Sequence, residues 1–501
     1  MIRSFRRKMK RGAGVLMPIS ALPSPYGIGT LGEECFQYLN FLKRIGCSYW
    51  QVLPIGPTGF GDSPYQSFSA FAGNPYFIDL DLLAREGLLE PAEYQELNWQ
   101  KEEDAVHYAY LYQNRFSVLK KAFRRSQHQN TKEFKNYQRE NSYWLRDYSL
   151  FMAVKEHFQS KEWSHWEENI RYRTPEAVER YTELLRKEID FWEFCQYKFH
   201  IQWQKVKAYA NQLGIQIIGD IPLYVAQDSS DVWSHEHLFE LDERKRPIHV
   251  AGVPPDVFSE KGQRWGNPLY RWEAMEAEDF SWWRERMKMA SKLYDLIRID
   301  HFIGIANYYS IPASAKTAAI GKWKPGPGRK LTDSMDESVG SARIIAENLG
   351  ILSPRVKELL EYTGYPGMKI LISALDGPPE HDYLPHNYKS TNTVVYIGTH
   401  DNETLVGFLN NKTEEELTFS YRYFNVSRRE ELPDAIIREL YSSIADLVIV
   451  QMQDLLKLDN KARMNCPSTI GGNWQWRMKK SQYQDLDERI LSEYAQIYTR
   501  I

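Results

Sequence analysis

Several apolar runs in this 501-residue chain end abruptly in ionisable residues. LIRIDHF (296–302) ends in Arg298, Asp300 and His301, and ARIIAENLG (342–350) carries Glu347. MKILISALD (368–376) ends in Asp376, TVVYIGTHD (393–401) ends in His400 and Asp401, and IQIIGDIPLYV (215–225) carries Asp220. Side chains alternate faces along a strand, so Arg298 and Asp300 share one face while Ile297 and Ile299 share the other. A guanidinium beside Asp300 favours the ionised carboxylate, which suits a nucleophile. Glu347 follows the apolar IIA, where burial and neighbouring carboxylates raise its pKa, which suits a general acid. A nucleophile and an acid of this kind are the equipment for breaking a glycosidic bond. Any one of these acids alone reads better as a structural salt bridge or helix cap. The converging set does not.

These residues need elements that bring them together. Three further runs, GVLMPIS (14–20), SYWQVLPIG (48–56) and ADLVIVQMQD (445–454), complete a series of eight. Near-continuous apolar strands belong to parallel sheets buried on both faces. Helical stretches lie between many of them, as at 32–45 and 415–443, and the alternation predicts an α/β fold, a closed (β/α)8 barrel. Active sites of such barrels lie at the C-terminal strand ends, where the ionisable residues fall. The unequal intervals locate large, mainly helical insertions. Residues 1–82 form the first part of the barrel, 83–205 a helical insertion subdomain, and 206–501 the remainder, with a smaller insertion at about 228–290. WLRDYSLFMAVKEHF (144–158) sets apolar residues at helical spacing within the first insertion. The stretch 306–340, with KWKPGPGRK, reads as a mobile loop because of its Pro and Gly.

Composition narrows the function classes. Hydrophobic residues make up 43% and charged residues 26%, as in ordinary globular chains. A net charge of -3 offers no footprint for nucleic acid or an anionic membrane. Fifteen Trp and 32 Tyr suit either stacking on sugar rings or the aromatic seams of a helical insertion. Cys35, Cys47, Cys195 and Cys466 are scattered and read as free thiols. Arg3, Arg6, Arg7, Lys8, Lys10 and Arg11 precede GAGVLMPISAL and mimic a secretory leader. Pro18 and Pro23 interrupt that run, which reads instead as a first strand behind a solvated tail. No apolar run is long enough to span a membrane. GKWKPGPGRK lacks the Ser/Thr and the preceding strand of a phosphate loop. His107, His157, His165 and His200 lie in the helical insertion and read as packing or surface residues.

Motifs recur in order along nearly the whole chain. They are GVLMPISALPSPYGIGTLG (14–32), DSPYQSFSAFAGNPYFIDL (62–80), GDIPLYVAQDSSDVW (219–233), GVPPDVFSEKGQRWGNPLY (252–270), RIDHF (298–302), IIAENLG (344–350), GTHDNET (398–404) and RMNCPSTIGGNWQWR (463–477). In this order the chain resembles the 4-α-glucanotransferases, the amylomaltase or disproportionating-enzyme family. The resemblance implies a cytoplasmic retaining enzyme that moves a segment of an α-1,4-glucan through a covalent glycosyl-enzyme. The donors implied are maltooligosaccharides, amylose or glycogen, and the acceptor is the 4-hydroxyl of glucose or another glucan. No cofactor and no metal are implied. Asp300 matches the nucleophile, Glu347 the general acid/base, and Asp401 the third carboxylate, which binds hydroxyls of the reacting glucose. Arg298, His301 and His400 match neighbours that orient the nucleophile and hold that sugar. Tyr65, Asp220, Asp256, Gln263, Trp265 and Asp376 match substrate-contacting positions, and Ser63 and Asn473 join them.

The chain departs from the pattern at Ile303 and Ile305, where an Arg is commoner after RIDHF, and at Asn348, usually Asp. Arg264, Ile397 and Ser468 also differ from it. Three other readings stay open. The same acids serve an α-glucan hydrolase. His301, His400, Asp401 and Asp220 could ligate a metal, although no HxH or HExxH spacing occurs and Arg298 sits beside them. A barrel that binds glucan without turning it over is the third.

Overall fold

The structure is a computed structural model and describes residues 9–255, 259–350 and 352–501. Asp256 and the basic residues before Met9 lie outside the described residues. In chain order the strands are β1 (Gly12–Leu16), β2 (Tyr49–Gln51), β3 (Gln216–Pro222), β4 (His249–Val253), β5 (Gln263–Pro268) and β6 (Leu296–Asp300). They continue with β7 (Asn307–Pro312), β8 (Lys322–Pro325), β9 (Arg343–Ala346), β10 (Gly367–Ile370), β11 (Thr393–Tyr396) and β12 (Leu447–Gln451). Eight of them form one parallel sheet in the order β10-β11-β12-β1-β2-β3-β6-β9. Each of the eight apolar runs supplies one of these strands, so the (β/α)8 expectation holds.

The sheet closes on itself between β9 and β10. No ladder joins these strands; instead Ala346 N donates to Pro366 O at 2.9 Å. Met368 N donates to Asn348 Oδ1 at 2.7 Å, so the departure at 348 carries a closing contact. The approach is tight, since a Cβ on Gly367 would lie 2.6 Å from the Asn348 amide. On both faces of the sheet, Val448, Ile449 and Val450 of β12 are fully buried. Each such side chain contributes roughly 1.5–3 kcal/mol by leaving water. Buried polar side chains of β2 are paired. Trp50 Nε1 donates to Met17 O at 2.8 Å, and Tyr396 OH donates to Gln51 Oε1 at 2.8 Å.

The first outer helix, Glu33–Arg44, has Glu33 and Glu34 in its first turn and Lys43 and Arg44 in its last, matching the helix dipole. It buries Cys35, Tyr38, Leu39, Phe41 and Leu42 along one side. Between β2 and β3 the chain is helical. Leu145–His157 coincides with the apolar spacing at 144–158, and Arg186–Gln212 runs unbroken into the approach to β3. Two glutamines on that long helix grip extended backbone below it. Gln196 Oε1 accepts from Gly73 N at 2.8 Å while its amide donates to Gly73 O at 2.9 Å. Gln202 makes the same pair of bonds with Asp79 N and O, at 2.7 and 3.2 Å. The insertion thereby holds the segment that follows Tyr65.

A second sheet, antiparallel in the order β5-β4-β7-β8, stands over the strand ends. It corrects the reading of 306–340 as a mobile loop, because this stretch forms β7, β8 and the helix Arg329–Ser338. Glycines there bring the backbone into contact with the turn after β6. Gly326 N donates to Ala306 O and Gly328 N to Ile305 O, both at 2.9 Å. A Cβ on Gly326 would lie 2.2 Å from Ile305 O. Among the described residues, no helix is long and apolar enough to cross a membrane.

Candidate active site

Register between parallel strands builds the centre of the site. Asp220 on β3 pairs with Arg298 on β6, and Ile299 on β6 pairs with Ala346 on β9. Neighbouring strands lie about 4.8 Å apart, so paired residues share a face. One step beyond Ile299 and Ala346 stand Asp300 and Glu347. The two acids from separate runs therefore meet at adjoining strand ends.

Arg298 ties β6 to β3. Its Nη1 lies 2.6 and 2.7 Å from the oxygens of Asp220 and 3.1 Å from Asp300 Oδ1. Burial alone lowers this guanidinium, yet the charges of Asp220 and Asp300 leave it raised well above its ordinary value. Asp220 is wholly buried, with Oδ2 also accepting from Tyr65 OH at 2.8 Å. Burial pushes its carboxyl up while Arg298 pulls it down, and the net direction is upward. Asp300 keeps 29% of its side chain exposed, so one face stays open to the cleft.

Glu347 stands just past β9 and is buried. Its Oε2 accepts from His301 N at 2.7 Å and its Oε1 from Leu349 N at 2.8 Å. Burial pushes it up to about 7; Asp300 adds to the rise, and Arg298 and the two backbone donors oppose it. The His301 bond depends on an unusual backbone, with φ at 51° in the left-handed region. Such a conformation costs roughly 1–3 kcal/mol in a residue with a side chain. It turns the chain at the end of β6 so that the His301 N–H faces Glu347. Burial lowers the His301 imidazole to about 4, against the pull of Asp300, so the ring is neutral at pH 7. The Trp265 ring meets it edge-on at 4.8 Å. Ile303 and Ile305 are buried in the turn that follows.

His400 and Asp401 lie on the turn after β11. Tyr65 stacks on the His400 ring at 5.1 Å, and Trp474 lies 5.7 Å from Tyr65 and 5.9 Å from His400. Asp401 Oδ2 is 3.4 Å from His400 Nε2, and its Oδ1 accepts from Asn465 Nδ2 at 2.6 Å. His301 Nε2 and His400 Nδ1 are buried with no hydrogen-bond partner among the described residues.

The remaining expected residues separate into groups. Gln263 and Trp265 sit together on β5, where Trp265 Nε1 donates to Gln263 Oε1 at 3.1 Å. Ser63 Oγ accepts from Tyr65 N at 3.2 Å and so shapes the Tyr65 turn. Asn473 Oδ1 accepts from Cys466 N at 2.9 Å, bracing the loop that carries Trp474. Asp376 is ion-paired with Lys412, and no described hydrogen bond or ion pair joins it to the Arg298 cluster. Asn465, Arg463 and Trp474 were not singled out by sequence, although all three lie in the motif at 463–477. An amide and a Trp in an irregular segment carry no periodic signal. Among the described residues, no three His, Cys, Asp or Glu side chains are grouped to hold a metal ion.

A closed (β/α)8 barrel with adjoining carboxylates of opposed environment at its C-terminal end defines an enzyme of the glycoside-processing class. Comparison with known proteins narrows the class. A family model described as 4-alpha-glucanotransferase matches residues 17–483. The 4-alpha-glucanotransferase of Clostridium butyricum is 44% identical over 486 residues, covering 97% of this chain and 100% of that one. That of Streptococcus pneumoniae serotype 4 is 45% identical over 495 residues, 98% of each chain. The amylomaltase of Streptococcus agalactiae, solved in complex with acarbose, superposes with a TM-score of 0.94 at 42% identity, covering 98% of this chain and 100% of that one. The chain belongs to the 4-α-glucanotransferase family, and it is a retaining enzyme that transfers glucan segments.

Proposed function

We propose that Asp300 is the nucleophile, Glu347 the general acid/base and Asp401 the carboxylate that holds the reacting glucose. The observation that carries this assignment is the contrast between the two adjoining acids. Asp300 is partly open and bonded to a guanidinium, whereas Glu347 is buried and raised to about 7. At neutral pH one is equipped to attack and the other to donate a proton.

In the first step Glu347 gives its proton to the glycosidic oxygen as Asp300 attacks the anomeric carbon. The C–O bond to the leaving glucan breaks and a covalent β-glycosyl-enzyme forms. The ionised Glu347 then takes the proton of an incoming 4-hydroxyl, whose oxygen displaces Asp300 and restores an α-1,4 bond. Arg298 keeps Asp300 aimed in both steps, because Asp220 fixes the guanidinium from behind. His301 and His400, beside Asp300 and Asp401, hold the reacting sugar. The Tyr65, Trp474 and Trp265 rings supply flat faces for pyranoses. Asp220 acts here by holding Arg298 and Tyr65, and Gln263, Asp376, Ser63 and Asn473 are placed as outer contacts of the glucan path.

Donors are maltooligosaccharides, with amylose and glycogen as longer substrates, and glucose or a glucan is the acceptor. The cytoplasm is the proposed compartment, in keeping with Cys35, Cys47, Cys195 and Cys466, all free thiols. Incubation with maltotriose tests the reaction. Transfer yields longer glucans together with glucose, and formation of shorter sugars alone refutes it. Asp300→Ala is expected to abolish transfer while the fold survives, and near-normal transfer by that variant rules out the assignment.

A further inference from the structure

We propose that Asn465 is a positioning residue that aims the Asp401 carboxylate at the reacting sugar. This inference rests on the role proposed above for Asp401. The Asp401 side chain is 47% exposed and sits on a turn beyond the end of β11. A half-exposed carboxylate on a turn has several rotamers open to it. Besides Asn465, its carboxylate has only the longer 3.4 Å contact to His400 Nε2 among the described residues. The 2.6 Å bond from Asn465 Nδ2 selects one orientation.

Asn465 is itself held for this task. Its backbone N donates to His400 O at 3.0 Å, setting residue 465 alongside 400. Arg463 locks the pairing from the other side. Its Nε donates to Asn465 O and its Nη2 to Asp401 O, both at 2.8 Å. The segment 463–465 thus grips the 400–401 backbone at two points and the Asp401 side chain at a third. Farther along, Trp474 N donates to Met464 O at 2.7 Å, so the same loop seats the indole near His400. A neutral amide also suits the position chemically. It donates a hydrogen bond at every working pH and leaves the charge of Asp401 unchanged.

Two substitutions and one control test this with maltotriose disproportionation. Asn465→Ala is expected to lower kcat about 10- to 100-fold with KM nearly unchanged, the loss typical of one hydrogen bond to a charged group. Asn465→Asp keeps the shape. When protonated, the new carboxyl donates to Asp401 as the amide does; when ionised, it repels Asp401. The ratio of variant to wild-type kcat is therefore expected to fall at least tenfold as pH rises from 5 to 8. A purely structural role would instead lower thermal stability and depress kcat equally at every pH. That result, or an Asn465→Ala enzyme with kcat within threefold of wild type, overturns the proposal. Asp401→Asn separates the two readings. If it is impaired while both Asn465 variants behave as wild type, only this inference fails. If Asp401→Asn itself is fully active, the role of Asp401 falls and the inference with it.

Discussion

Replacing Asp300 with Asn lowers the pKa of Glu347. In the folded protein this carboxyl rises from 4.5 to about 7, which favours the protonated form by about 3 kcal/mol. Burial is the largest cause, Asp300 adds to it, and Arg298 with the Leu349 and His301 amides works against it. The substitution removes only the Asp300 contribution. Two unit charges at the separation of about 5 Å usual for a retaining pair, in a medium of effective dielectric about 20, repel by about 3 kcal/mol. Water at the open face of Asp300 and the charge of Arg298 reduce this. A fall of about one unit is therefore expected, with burial holding the remainder. Carbon-13 labelling of glutamate carboxyls, with the Glu347 signal identified by its loss in Glu347→Gln, follows the titration directly. An unchanged or raised midpoint in Asp300→Asn refutes the proposed electrostatic link between the acids. The wild-type consequence has a definite sign. Glu347 must carry its proton to act as acid, so kcat/KM falls as pH rises through about 7. A falling limb in the ordinary carboxylate range would contradict the burial argument.

Asp220→Asn removes a charge from a buried pair and is expected to destabilise the fold by about 3–5 kcal/mol, read by denaturant unfolding. An unchanged midpoint would show that Arg298 needs no partner there. Asp454 is buried behind the 398–405 turn, where its Oδ1 accepts from Leu405 N at 2.7 Å, and burial pushes it up to about 7. Its folded pKa exceeds the unfolded one, so its contribution to stability is most favourable below about pH 4 and declines as pH rises to about 7, by up to ~4 kcal/mol. Asp454→Asn should escape that decline, gaining on wild type in thermal melts at pH 8 relative to pH 5; parallel melting curves would disprove it. Asn348→Ala removes the side-chain bond that closes the barrel between β9 and β10. It leaves the Met368 N–H without its partner, for an expected loss of about 1–3 kcal/mol in chemical unfolding.

The eight barrel strands were legible because a strand buried on both faces must be apolar along its length, which is a local property. Alternation within RIDHF likewise put Arg298 and Asp300 on one face, and the 3.1 Å bond between them follows from that spacing alone. Residues 306–340 were misread because Pro and Gly mark a turn and a close backbone approach alike. Only the neighbour at Ile305 O distinguishes the two. Asp220 matches a substrate-contacting position, and in the fold its oxygens bond Arg298 and Tyr65. That outcome depends on the register between strands 78 residues apart, which no local pattern encodes.

The sequence by itself thus determined the barrel, the face each strand presents and the acids at the strand ends. Tertiary structure alone decided which partners each acid meets across strands and loops, and which neutral side chains do the aiming. Asn465 shows why. Its place beside Asp401 follows from one loop lying against another across 64 residues, and only the folded chain brings such partners within hydrogen-bond reach.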